Sequence, residues 1–398
     1  MKTFKFMDLF AGIGGFHLAL KELGGQCVYA CEIDKACQEV YQRNFGLVPA
    51  DDITRLDFDK LPPEVDVVCG GFPCQPFSLL GYKQGFQDKK QRGNLFFNIC
   101  DILEHYIKLN QPVKIVLLEN VVGLVQHDKG RTWTVIRDTL RHLGYRVNDV
   151  PLVLSPDDIG VPQKRPRVFI LAIWDGILSK DYKLPAQEDL DALKRNVSVL
   201  KGYLEDDPSP EYQLPTKKRQ VLDMWDQLFQ LAGDILPHFL LMPKTWENTY
   251  VEPADTKKYL HNIIKRNQQW YQEHREVCDK WLELVNFKGK KFVIPDTYLK
   301  LRLSAKNTNS VWNYQITCRA NGWRLTPKTW VPTITAQGNM VILGEYKRFI
   351  TPRECANLQS FPKDFILDPY KHHCHKQLGN AVNVECVKTV FNLVKDLL

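Results

Sequence analysis

The chain reads as an α/β protein with a mainly parallel sheet and a second, smaller domain. Three observations carry that reading. Short apolar, β-branched or aromatic runs alternate with helical patterns over the first 175 residues, the alternation stops after Trp174, and a polar, proline-containing stretch follows. Strands separated by helices need crossover connections, which pair them in parallel and cover both faces of the sheet. Ligands of such folds bind beyond the carboxyl ends of the strands.

The predicted strands are Phe4 to Phe10, Cys27 to Cys31, Val65 to Cys69, Lys114 to Leu118 and Arg167 to Ile173. Between them, Phe16 to Leu23, Lys35 to Asn44, Leu95 to Lys108 and Trp133 to Leu143 place apolar residues three or four apart, as helices do. Residues 176 to 216 are polar and end near Asp206-Asp207-Pro208-Ser209-Pro210, which reads as a connection. A domain boundary is therefore expected close to 175. Beyond it, Val221, Leu222, Trp225, Leu228 and Phe229 form one helical stripe, and Leu260, Ile263 and Ile264 begin another. Residues 300 to 345 suggest short strands and turns, and Val382 to Leu397 a last helix.

Composition narrows the class. With 398 residues, 44 % of them hydrophobic and 25 % charged, fibrous and disordered chains are excluded. No apolar run approaches membrane-spanning length, and the start lacks the apolar core of a secretory signal, so a cytoplasmic protein with no membrane partner is expected. The cysteines, 11 in number, show no paired metal-type spacing; most are expected to be reduced core thiols. His372-His373-Cys374-His375 is metal-like in composition only, because adjacent side chains seldom converge on one ion; no metal is expected. Charge is unevenly spread. Residues 1 to 250 hold 30 Lys/Arg against 33 Asp/Glu, whereas residues 251 to 398 hold 23 against 13, which suits a polyanion docking on the second half.

The chemistry-bearing residues fall at the predicted strand ends. Phe10-Ala11-Gly12-Ile13-Gly14-Gly15 is a glycine turn into a helix, a variant one, since a dinucleotide fingerprint would place its third glycine where His17 stands. Glu32 follows the second strand, where a carboxylate can accept from ribose hydroxyls, and Asp51-Asp52-Ile53 adds a polar and apolar pair. Together they describe a nucleoside pocket. Cys74 stands at the apex of Gly70-Gly71-Phe72-Pro73-Cys74-Gln75-Pro76, a rigid exposed turn that suits a nucleophilic thiol. The basic, glycine-containing run that follows, with Lys83, Lys89, Lys90 and Arg92, suits a loop closing over an anionic substrate. Glu119 ends the fourth strand and can act as a general acid if an apolar setting raises its pKa. Arg165 and Arg167 are two apart; on one strand they would share a face and point to one oxygen-rich ligand.

The ordered set Phe10 to Gly15, Pro73-Cys74-Gln75, Glu119-Asn120-Val121, Gln163 to Arg167, Arg353-Glu354 and Gly379 to Val382 resembles DNA cytosine-5 methyltransferases of the bacterial restriction-modification type. The resemblance implies a Rossmann-like S-adenosylmethionine-dependent methyltransferase domain over 1–175, completed by 372–398, and a target-recognition domain with its hinge over 176–371. It implies S-adenosylmethionine as methyl donor, with Phe10, Gly12, Gly14, Glu32, Ile33, Asp52, Ile53, Pro73, Leu95 and Asn380 in or near its pocket. Arg353-Glu354 would brace the domains. Pro166, between the two arginines, departs from the usual charged or polar residue.

The implied chemistry suits the residue types. Cys74 would add to carbon 6 of a flipped-out cytosine, Glu119 would hydrogen-bond or protonate the ring nitrogen, and Arg165 and Arg167 would orient the base. Ser78 begins a closing loop in which Lys89, Lys90 and Arg92 would meet phosphates. Lys306, Asn307, Asn309, Arg319, Asn321 and Arg324 are candidates for reading base edges, whereas Trp312, Trp323 and Trp330 read as core. Double-stranded DNA is the expected partner of a monomeric enzyme, with a cognate restriction endonuclease acting separately. Transfer RNA is the alternative substrate; the large middle segment and its basic end favour DNA. A recognition-only protein is disfavoured by intact Cys74 and Glu119, and a nicotinamide oxidoreductase leaves Cys74 and both arginines unexplained.

Overall fold

The computed structural model describes residues 3–73, 95–246, 250–253, 258–285, 296–303, 309–319, 321–336 and 341–398. They belong to two compact units, residues 1–203 with 355–398, and residues 204–354. The expected boundary at 175 is thus displaced to 203, and the return to the first unit begins at 355 rather than 372.

The first unit runs β1 Phe4–Leu9, α1 Gly15–Glu22, β2 Gly25–Cys31, α2 Lys35–Phe45, β3 Val67–Gly70, α3 Leu95–Lys108, β4 Ile115–Val121, α4 Gly123–Gln126, α5 Arg131–His142, β5 Tyr145–Val147, β6 Leu152–Leu154, β7 Gln163–Lys164, β8 Arg167–Trp174 and α6 Gln187–Asp191. Its main sheet has the order β2-β1-β3-β4-β8-β5, with β6 also on β8. β3 is buried along its whole length and β4 over all but its last residue, as apolar strands covered on both faces must be. α3 supplies one cover through Phe96, Ile99, Cys100, Leu103 and Tyr106, an i, i+3, i+4 stripe. α5 adds Trp133, Ile136 and Leu140 at the same spacing.

β1, β2, β3 and β4 are parallel neighbours, as the alternation predicts. β8 is not. It runs antiparallel to β4, and β5 and β6 run antiparallel to β8. The reversal follows from the connection, because short strands rather than one crossover helix lead into β8. It also sets the register Val121↔Arg167, which brings the start of β8 to the carboxyl end of β4.

The second unit contains α7 Thr216–Ala232, β9 Leu240–Leu241, α8 Lys258–Glu273, α9 Arg275–Val285, β10 Leu301–Leu303, β11 Tyr314–Arg319, β12 Gly322–Pro327, β13 Val331–Pro332, β14 Ile342–Leu343 and β15 Arg348–Phe349. A sheet of order β15-β14-β11-β12-β10-β9 packs its apolar face into a core that includes Trp225, Trp246, Trp281 and Trp323. Trp312 joins that core as expected, and Trp330 is half-buried. α9 is an addition to the two expected helices; its buried Cys278 and Trp281 stand three apart.

The chain then forms α10 Pro352–Leu358, α11 Lys371–Asn380 and α12 Val384–Asn392. α12 packs on α1 and β1. The Phe391 ring lies tilted on Phe4, centroids 5.3 Å apart, and Lys388 pairs with Glu22 at 2.7 Å. All ten described cysteines are free thiols, eight of them buried. Among the described residues no helix is long and apolar enough to cross a membrane.

Candidate active site

The parallel pairing of β1 with β2 aligns Leu9 with Cys31, so both strands deliver their following residues to one rim. Phe10 and Gly12 take positive φ angles of 54°, which turns the chain back toward α1. The Gly12 N–H donates to Glu32 Oε2 at 2.8 Å, and the Asp34 N–H to Glu32 Oε1 at 2.8 Å. Two backbone amides thereby aim the carboxylate. A Cβ at Gly12 would enter open space, so a ligand can approach this backbone directly. Asp52 caps a short turn, its Oδ1 accepting from the Thr54 N–H at 2.9 Å and from Thr54 Oγ1 at 2.8 Å. These bonds hold the Asp52 carboxyl below its usual range and therefore ionised. Ile33 is 68 % exposed, an unusual solvent face for isoleucine.

These residues line one cleft of about 430 Å³ in the first unit. Phe10, Gly12, Glu32, Ile33, Asp52, Ile53, Pro73, Leu95 and Asn380 all border it, and so do Glu119, Arg165 and Arg167. Gly14 does not. A Cβ there would strike Phe45 at 2.2 Å, so this glycine serves the packing of α1 on α2 rather than the cleft. His17 stands at the fingerprint's missing glycine because it is a core residue, stacked on Phe45 at 3.8 Å with Nδ1 2.7 Å from Tyr41 Oη. Behind the turn Asp8 is fully buried, with Tyr41 Oη donating to it at 3.3 Å. Burial pushes the Asp8 carboxyl well above its ordinary range.

Glu119 and Arg167 pair on the wall of the same cleft. The antiparallel register of β8 puts Arg167 Nε 2.8 Å from Glu119 Oε1, both largely shielded from water. Burial raises the Glu119 carboxyl pKa, against the opposing pull of Arg167 and Arg165, so a proton is held more tightly here than on an exposed glutamate. Gly71 lies beside it; a Cβ would come within 3.4 Å of Glu119 Oε2. Asn120 Nδ2 donates to Phe72 O at 2.9 Å and fixes the backbone two residues ahead of position 74. Asn120 thus has a structural role that the sequence did not make legible.

Arg165 and Arg167 both border the cleft and both pull on Glu119, but the hydrogen bonds of Arg165 run elsewhere as well. Pro166 lacks the N–H needed to continue the strand, and the chain breaks between β7 and β8 at this residue. Arg165 is buried, and its Nη2 donates to Gly379 O and Ala381 O, each at 2.9 Å. It clamps the end of α11, which brings Asn380 to the cleft. Gly15 permits the same approach, since a Cβ would lie 2.9 Å from Val382 O. Sequence patterns also missed Asp34, which borders the cleft and pairs with Lys376 at 2.6 Å. The distance in sequence between them left no local signal.

Cys74, Ser78, Lys89, Lys90, Arg92 and Lys306 lie outside the described residues, as does Asn307. Arg319 and Arg324 stand on β11 and β12 of the second unit. In the histidine run, His373 Nδ1 is 3.2 Å from Asp368 Oδ2, and Cys374 Sγ donates to Asp368 O at 2.9 Å. Among the described residues no three His, Cys, Asp or Glu side chains converge on a metal position.

Residues 4–396 match the model of the family described as C-5 cytosine-specific DNA methylase. Type II methyltransferase M.DsaV of Dactylococcopsis salina is 34 % identical, over 98 % of this chain and 85 % of that protein. Type II methyltransferase M.BanI of Aneurinibacillus aneurinilyticus is 34 % identical, over 97 % of this chain and 94 % of its own. Among solved structures, the fold resembles a Dnmt2 methyltransferase from S. pombe, with a TM-score of 0.56 and 19 % identity, covering 100 % of this chain and 99 % of that one. An Entamoeba histolytica methyltransferase gives a TM-score of 0.55 at 15 % identity, with both chains fully covered.

Proposed function

The chain belongs to the C-5 cytosine-specific DNA methylase family, and from that premise we propose that the cleft of the first unit works through Cys74 as nucleophile and Glu119 as acid. The reaction itself, methylation of cytosine carbon 5 in DNA, comes with the family, and the RNA alternative is set aside on the same ground. The donor is S-adenosylmethionine, which when bound supplies an electrophilic methyl group on a sulfonium. The donor set of the cleft fits it. Glu32 would accept from the ribose hydroxyls, exposed Ile33 would meet the purine and ionised Asp52 would accept from the exocyclic amine, with Asn380 also on the wall of the cleft.

Carbon 5 of cytosine is unreactive until ring conjugation is broken. Cys74 thiolate adds to carbon 6, and Glu119 gives a hydrogen bond or its proton to ring nitrogen 3, so the new electron pair is drawn to carbon 5. Carbon 5 would take the methyl group from the bound donor as the methyl–sulfur bond breaks and the neutral thioether leaves. Loss of the carbon 5 proton to a base then returns the electron pair that expels the Cys74 thiolate, and nitrogen 3 gives back to Glu119 any proton it took. Arg167 holds Glu119 in place and presents its remaining donors to the base. Arg165 acts as a positioning residue through Gly379 and Ala381. The observation that carries this assignment is the Glu119 carboxyl, buried and beside Arg167 in the cleft that also holds the Gly12 and Glu32 pair.

The second unit, residues 204–354, would then recognise the target sequence, with Lys89, Lys90, Arg92 and Ser78 near the phosphates and Lys306, Arg319 and Arg324 on the duplex. The relatives are named Type II methyltransferases. By that likeness this chain is the modification partner of a separate endonuclease, a monomer working in the cytoplasm where the chromosome lies. The test incubates protein and S-adenosylmethionine with unmodified plasmid and maps 5-methylcytosine at single-base resolution. Methylation confined to one short motif, lost in Cys74→Ser while cofactor binding persists, is the expected result. Turnover by Cys74→Ser comparable to wild type would overturn the nucleophile.

A further inference from the structure

We propose that the face of the second unit's sheet turned away from its core, where Arg302, Arg324 and Arg319 stand, binds the phosphate backbone of duplex DNA. This rests on the assignment of duplex DNA as substrate and says how the duplex is held.

The period of the strands defines that face. β10 reads buried Leu301, exposed Arg302, buried Leu303, and β12 reads buried Trp323, exposed Arg324, buried Leu325. The four apolar side chains enter the core, so both arginines point the other way. The parallel register sets Arg302 directly beside Arg324, and the antiparallel register sets Arg324 beside Thr317. Arg319, two residues beyond Thr317, falls on the same face and is exposed.

Like charges on neighbouring strands oppose sheet formation unless something neutralises them. Among the described residues no carboxylate lies within ion-pair distance of Arg302 or Arg319. The same face shows what neutralisation looks like when the chain provides it. Leu343 pairs with Gln315 on one side and Arg348 on the other, which places Arg348 on this face. There Arg348 is buried, with Nη2 2.6 Å and Nη1 2.9 Å from the two oxygens of Glu354. Arg302 and Arg319 have been left for an external anion.

Burial lowers the Arg324 pKa first, and Arg319 and Arg302 push it the same way, so the three charges feel one another. A phosphodiester chain, with one charge per nucleotide, relieves that repulsion.

The experiment measures affinity for a short unmodified duplex against potassium chloride concentration, using the full chain. Each lost phosphate contact should lower the magnitude of the log-log slope by about 0.9. Arg302→Ala is expected to lower it by about that amount, Arg302→Ala with Arg319→Ala by about twice as much, and Arg302→Lys to restore it. Binding of S-adenosylhomocysteine should stay unchanged in all three, since these side chains are exposed and belong to the second unit. A wild-type protein that methylates plasmid yet keeps its slope after Arg302→Ala overturns the phosphate face alone. Altered sequence preference at an unchanged slope also overturns it, by making the arginines base readers. A wild-type protein that methylates no duplex DNA overturns the substrate assignment and this inference with it.

Discussion

At Glu119 burial raises the carboxyl pKa although two nearby arginines pull it down. Glu119→Gln mimics the protonated form and removes the transferable proton. Its single-turnover methylation rate should fall by about 10²-fold or more, the usual worth of a positioned acid, while thermal stability holds or rises. An unchanged rate across pH would make Glu119 a structural partner of Arg167. His17 reports burial of the opposite sign. Its imidazole is pushed down from 6.5 to about 4, chiefly by burial. Between those values the unfolded chain binds a proton that the native ring refuses, so His17 makes unfolding free energy rise with pH over that window and fall on acidification. His17→Gln should flatten this slope by up to about 1.4 kcal/mol per pH unit, read from denaturation curves at several pH values. Parallel slopes would show a ring that titrates normally in the fold.

Among the elements, α1, α2, α3, α5 and the four parallel strands were legible because their periods are local. The glycine turn, Glu32 and the Glu119 strand end were legible for the same reason, each following directly from a predicted strand. The direction of β8 was not. An apolar run reads the same both ways, and only the short strands β5 and β6 before it fix its antiparallel entry. That reversal places Arg167 on Glu119, whereas Arg165, just before Pro166, donates to the carbonyls of Gly379 and Ala381. Nor could Gly14 be told from Gly12 by sequence, since the difference is Phe45 standing behind one and a cleft before the other. The turn that presents Asn380 depends on a cap that tests this argument. Asn383 Oδ1 accepts from the Cys386 N–H at 3.0 Å at the start of α12, and its Nδ2 donates to Leu358 O at 3.0 Å. Asn383→Ala loses the cap and strands a buried carbonyl, for a cost of about 2–4 kcal/mol and weaker cofactor binding. Asn383→Asp keeps the cap, so chemical denaturation should place it between the two. Equal losses would mean that the cap contributes nothing.

The whole molecule is one unit interrupted by another. The first unit closes on itself where the chain departs, because Asn357 Nδ2 donates to Tyr203 O at 3.0 Å. The second ties its own ends together as well, since the Glu205 N–H donates to Glu354 Oε1 at 3.0 Å. An inserted unit held in this way can be excised without pulling apart its host, provided the host owns its whole core. The first unit does so through α12, whose Phe391 covers Phe4, and the cleft is lined by residues of that unit throughout. A flexible linker of about six Gly and Ser residues spans roughly 13 Å, ample to join Tyr203 to Cys355 across a single hydrogen bond. The shortened chain should melt cooperatively and bind S-adenosylhomocysteine much as the full chain does. It should bind duplex DNA only weakly, with a shallower salt dependence, because the basic sheet is gone. A shortened chain that folds yet fails to bind the cofactor would show that residues 204–354 help to hold the cleft in its binding form, and that the two units are joined in function as well as in sequence.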